Sequence, residues 1–142
     1  MNAMKSRADK LGRIVSLMKL QLRLAEWELA RLRQQEQNLK DEQAYLVGAL
    51  NETRLPAGSS SESIARRLNR TSVGARAVGA EASRQLDQVH AESRRVKQIE
   101  RVAKVAKADK SRDEERQSIE EIAAAHLASR DWTAGISKRG RK

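Results

Sequence analysis

The sequence predicts an all-α protein: a single domain over residues 1–142, built as one long antiparallel two-helix coiled-coil hairpin with the second helix longer. Three observations carry this. Stepping alternately by four and three residues from Leu11 gives Val15, Met18, Leu22, Ala25, Leu29, Leu32, Glu36, Leu39, Gln43, Leu46 and Leu50, and only Glu36 and Gln43 are polar. A mean spacing of 3.5 residues keeps an apolar seam facing a partner helix as the two supercoil. Composition offers little else to build with: charged residues make up 34%, aromatics only 2%, and Phe is absent, so no large side chains are available to fill a globular interior. Finally, Pro56 is the one proline, and with Gly58 it divides two long stretches of helical pattern. A break this short turns the chain back on itself.

Residues 1–6 carry no pattern. Helix 1 is expected over about 6–54, with Ser6 or Asp9 as its N-cap and Gly48 as a mild interruption. Leu17, Leu20, Leu24 and Trp27 lie beside the seam and widen its apolar stripe. They either cover the edge of the seam or, with Trp27 as an anchor, meet a partner. The turn is expected at 55–60. Ser59 with Glu62 three residues on reads as a capping box for helix 2, expected over about 61–130. Its early stretch, Thr71 to Ala80, holds Gly74 and Gly79 among small residues. This is either small-against-large packing opposite Leu39, Tyr45 and Leu46, or a deformable hairpin tip that docks onto a partner. Ala82, Leu86, Val89, Val96, Ile99, Ala103 and Ala106 continue a thinner apolar stripe. After about Ser111 helix 2 is expected to overhang helix 1. There Ile119, Ile122, Ala123 and Leu127 form a short amphipathic segment ending near Arg130, with Trp132 beyond the helix. Residues 131–142 read as a flexible basic tail.

Net charge is +10. Up to Arg54 there are ten basic and seven acidic residues (+3); from Ser61 there are nineteen basic and twelve acidic (+7). The excess suggests nucleic acid, a membrane surface or an acidic protein as partner. Its sharpest expression is Arg94 to Arg112, where Lys97, Arg101, Lys104 and Lys107 recur at spacings of three or four. Cys is absent, which excludes disulfides and thiolate metal sites. His90 and His126 have no ligand partner at metal spacing, and Gly74 and Gly79 match no phosphate-binding loop. A two-helix hairpin has no cavity in which to desolvate a titratable group. The reading is a non-enzyme without cofactor or metal. Basic residues interrupt the N-terminus before an apolar signal region forms, and no run is long enough to span a membrane, so the expected location is cytoplasmic.

The chain resembles the FliJ/YscO family of type III export stalk proteins. Lys5, Ser6 and Arg7 lead into Leu11, Gly12, Arg13, Ile14 and Val15, like the start of many family members. Glu115, Arg116, Gln117, Ser118, Ile119, Glu120, Glu121, Ile122 and Ala123 are similar to the family's late Glu-x-Lys/Gln-x-x-Asp-Glu-x-Ala stretch, with Glu120 in place of the usual Asp. The resemblance covers most of the chain as architecture. The chain departs from the family around Gly74 to Gly79 and in its basic tail. The resemblance implies a stalk of a flagellar or related secretion system, peripheral at the inner membrane. The end carrying both termini would enter a hexameric export ATPase ring and promote its assembly, the hairpin tip would reach toward the export gate, and export chaperones would bind. Glu115, Gln117, Glu120 and Glu121 would be the ATPase-facing set, with Arg101, Lys104 and Lys107 nearby by position alone. The tip set would be Val73, Gly74, Arg76, Ala77 and Val78, by architecture.

Two other readings stay open. One is a nucleic-acid-binding coiled coil using the Arg94 to Arg112 face, although no aromatic residues interleave the basic ones. The other is an adaptor that dimerises through helix 1.

Overall fold

The computed structural model describes the backbone of residues 3–52 and 58–139, and the side chains of 7–52 and 58–135. Two helices account for it: α1, Ala3–Asn51, with 49 residues, and α2, Ser61–Arg139, with 79. Among the described residues there is no strand. The chain divides into two compact units, Ser16–Gln98 and Met1–Val15 with Ile99–Lys142.

In the Ser16–Gln98 unit the helices run antiparallel. Gln85 Nε2 donates to the Ala25 carbonyl at 3.0 Å, and Gln43 Nε2 donates to Ser72 Oγ at 2.7 Å. As numbers rise along α1, partners fall along α2. Every seam position from Met18 to Leu50 is buried or half-buried. Leu29, Leu32 and Ala82 form one core cluster, flanked by Val78, Leu86 and Val89. Leu46, Ala49 and Ile64 form a second, flanked by Leu50 and Leu68. Leu46, at 2% exposure, is the most enclosed of these. Burying each such side chain stabilises by roughly 1.5–3 kcal/mol.

The α2 seam obeys the same four–three rule as α1. In this unit it steps through Ile64, Leu68, Thr71, Ala75, Val78, Ala82, Gln85, Val89, Glu92 and Val96, all buried or half-buried. The apolar stripe looked thin in the sequence because Thr71, Gln85 and Glu92 occupy seam positions. Each polar member has a route to satisfaction. Glu92, for example, accepts from Gln88 Nε2 at 3.1 Å and meets Arg95 Nη1 at 3.5 Å.

Three boundaries differ from the sequence expectation. α1 already begins at Ala3, upstream of Ser6 and Asp9. The cap of α2 is Ser60 rather than Ser59: Ser60 Oγ accepts from the Ser63 backbone N–H at 3.1 Å, and Ser63 Oγ donates back to the Ser60 carbonyl at 3.1 Å. Glu62 pairs forward with Arg66 at 2.7 Å instead. α2 also continues to Arg139, past the expected end near Arg130. No proline stops it, Thr133 Oγ1 donates to the Ser129 carbonyl at 2.8 Å, and a single interior glycine costs only about 1 kcal/mol. Trp132 is therefore a helical residue, 71% exposed. Gly58 has φ 80°, a left-handed conformation that glycine adopts without strain. Pro56, within residues 53–57, and the last three residues of the basic tail lie outside the described residues.

Candidate partner-binding surfaces

A seam turned inward leaves the outward faces of both helices to meet partners. In the Ser16–Gln98 unit, Leu17, Leu20, Leu24 and Trp27 are 58%, 52%, 60% and 64% exposed. They do not close over the edge of the seam. They make a second apolar line on α1, itself spaced three, four and three. Just beyond it, Arg31 grips Glu28 with both ends of its fork, Nη2 to Oε1 at 2.6 Å and Nε to Oε2 at 3.0 Å. These hydrogen bonds, helped by the Arg31 charge, hold the Glu28 carboxyl below the usual carboxylate range.

The set Val73, Gly74, Arg76, Ala77 and Val78 does not lie at the turn. Gly74 is thirteen residues into α2, roughly 20 Å along the helix, and faces Leu39. Leu46, Ala49, Leu50, Ile64 and Leu68 occupy the turn end instead, with Arg67 Nη2 bridging to Glu42 Oε1 at 2.6 Å. Val73, Arg76 and Ala77 point outward, whereas Gly74 and Val78 are half-buried in the seam region. Of the three large residues expected opposite this stretch, Leu39 is there, Leu46 packs nearer the turn, and Tyr45 is 64% exposed. Gly74 is not demanded by close backbone approach, since a Cβ there would stand 3.8 Å from Leu39 Cδ1, an ordinary contact.

In the unit of Met1–Val15 and Ile99–Lys142, the α2 seam continues as Ile99, Ala103, Ala106, Lys110 and Asp113, all half-buried. Lys110 Nζ lies 3.5 Å from Asp9 Oδ1. The basic residues here line two grooves. Arg101 lines one groove with Arg7, Val102, Val105 and Asp109. Lys104 and Lys107 line another with Asp9, Glu100 and Lys110. Lys107 stands about 120° round the helix from Arg101, with Lys104 between them. After Asp113, which pairs with Arg116, every residue from Glu114 to Gly135 is exposed. Glu115, Gln117, Glu120 and Glu121 stand on this segment, as do Ile119 and Ile122, 66% and 67% exposed.

His90 and His126 are exposed on α2, and among the described residues no group of His, Cys, Asp or Glu could hold a metal ion. Among the described residues, no helix is long and apolar enough to cross a membrane. No family model, curated protein or solved structure matches the chain.

Proposed function

We propose that this protein is a non-enzymatic stalk or coupling component of a type III, flagellar-type protein export apparatus. It works in the cytoplasm, peripheral at the inner membrane, and binds the export ATPase hexamer, with the export gate and export chaperones as further partners. The observation that supports this reading best is the bare end of α2. From Glu114 to Gly135 a helix stands fully exposed, carrying Glu115, Gln117 and Glu121, which match the family's late motif, and Glu120, which stands in place of its usual Asp. A helix that must enter a ring of larger subunits needs its charged side chains free in this way. The outward Val73, Arg76 and Ala77 are the part of the second set available to a gate or chaperone.

The test is to add the purified protein to the export ATPase of the same genome and follow hexamer formation and ATP hydrolysis. Both should rise, and both should fall back when Glu115, Gln117, Glu120 and Glu121 are changed together to Ala. An ATPase indifferent to the protein would sink the reading. The exposure of Arg94, Arg95, Lys97 and Arg101 favours one second reading, a backbone-only nucleic-acid binder. That reading requires affinity for DNA that falls steeply with salt.

A further inference from the structure

Among the described residues, Leu17, Leu20, Leu24 and Trp27 on α1, and Ile119 with Ile122 on the overhang of α2, form two exposed apolar lines. We infer that they cover each other between two copies of this chain, in an exchanged dimer in which the overhang of each copy lies along α1 of the other. This inference does not rest on the export reading: an exchanged dimer has to open before the Glu115 to Glu121 end of α2 can enter a ring.

Charge selects the occupant. From Lys10 to Arg33, α1 holds six basic and two acidic residues, a net of +4. From Asp113 to Asp131, the overhang holds six acidic and two basic residues, a net of −4. A chain of net charge +10 would repel its copy through most surfaces, but this pairing attracts. The alternatives within the chain are poorer. Joining α1 line to α1 line sets the +4 stretches together, and joining overhang to overhang sets the −4 stretches together.

Register agrees with charge. Arg13 stands one turn before Leu17 on α1, and Glu115 one turn before Ile119 on α2, each on the face of its apolar line. Laid side by side in the same direction with Glu115 beside Arg13, the two helices bring Ile119 beside Leu17 and Ile122 beside Leu20. Spacings of three and four on both partners are what side-by-side helices require. The contact forms twice, so two modest apolar surfaces add.

The test uses the full chain. Light scattering over a range of concentrations should give twice the chain mass at the upper end. Leu20→Glu with Leu24→Glu, and separately Ile119→Glu with Ile122→Glu, should each weaken the dimer by about tenfold or more. These side chains are exposed, so circular dichroism should show helix content unchanged. Because the chain has no Cys, disulfides report contacts directly. Leu20→Cys mixed with Ile122→Cys should yield a linked pair of one chain of each, and Leu20→Cys mixed with Val73→Cys should not. A single-chain mass at all concentrations overturns the inference. So does a dimer that survives both Glu pairs, or a failure of Leu20→Cys and Ile122→Cys to link.

Discussion

Leu46 and Leu24 show how little residue type says without position. Both are leucines on one helix, yet Leu46 is 2% exposed and Leu24 60%. Leu46→Ala should cost about 2–5 kcal/mol in urea unfolding, whereas Leu24→Ala, measured at concentrations low enough to keep the chain single, should stay within about 0.5 kcal/mol. Gly74 offers the reverse case. Its missing methyl would meet only Leu39 Cδ1, so Gly74→Ala should raise stability by up to about 1 kcal/mol through helix propensity alone. At Gly79 a Cβ would collide with the Glu36 carboxylate, but that is the end of a flexible side chain, and it can swing aside. The Glu28 and Arg31 pair sets a small pH dependence. Since Glu28 titrates below its ordinary value, its contribution is present at neutral pH and fades as pH falls through the lowered value. Arg31 is held above its ordinary value, so its contribution is lost only in strong alkali. A thermal-melt comparison of Glu28→Gln with the parent should therefore show a gap at neutral pH that closes in acid.

At the scale of the elements, the polar members of the seam and the cap of α2 decide register. Ser60 satisfies the Ser63 amide, which would otherwise be one of the orphan donors of a helix start. Ser60→Ala should lower stability by about 1 kcal/mol, and Ser59→Ala should leave it nearly unchanged. The hydrogen bond from Gln43 to Ser72 spans the two helices in a half-buried position. A double-mutant cycle of Gln43→Ala and Ser72→Ala should return a coupling of about 0.5–1.5 kcal/mol. A coupling of zero would mean the pair is incidental. Sliding the helices by one heptad would part this pair and set at least one of its groups against an apolar residue, Ser72 against Leu50 in one direction and Gln43 against Ala65 in the other, so the pair discriminates among registers that the leucines alone would tolerate.

For the molecule as a whole, charge sets behaviour more than any ion pair does. Most of the described salt bridges are local, between residues three or four apart on one helix, and their side chains are largely open to water. Such pairs contribute little. The net charge of +10 repels itself throughout the folded chain, and added salt screens that repulsion. The melting temperature should therefore rise with sodium chloride. A fall would mean that the bridges from Arg67 to Glu42 and from Lys110 to Asp9 contribute more than their exposure suggests.

The sequence by itself determined the two helices, the break between them and the α1 seam. Each rests on local rules: a 3.5-residue apolar period, one proline, and a glycine able to take φ 80°. The α2 seam was only half legible, because Thr71, Gln85, Glu92, Lys110 and Asp113 interrupt the apolar pattern. Extending the four–three count through polar residues would have found it. Only the tertiary structure decided which small-residue positions face the partner helix, that Val73 to Val78 lie along α2 away from the turn, and that Arg101 parts from Lys104 and Lys107. It also decided that Leu17 to Trp27 stay open. Periodicity fixes the angle at which a side chain leaves its helix. Whether another helix stands at that angle depends on register, and register is set by pairs far apart in the chain, such as Gln43 with Ser72 and Gln85 with Ala25.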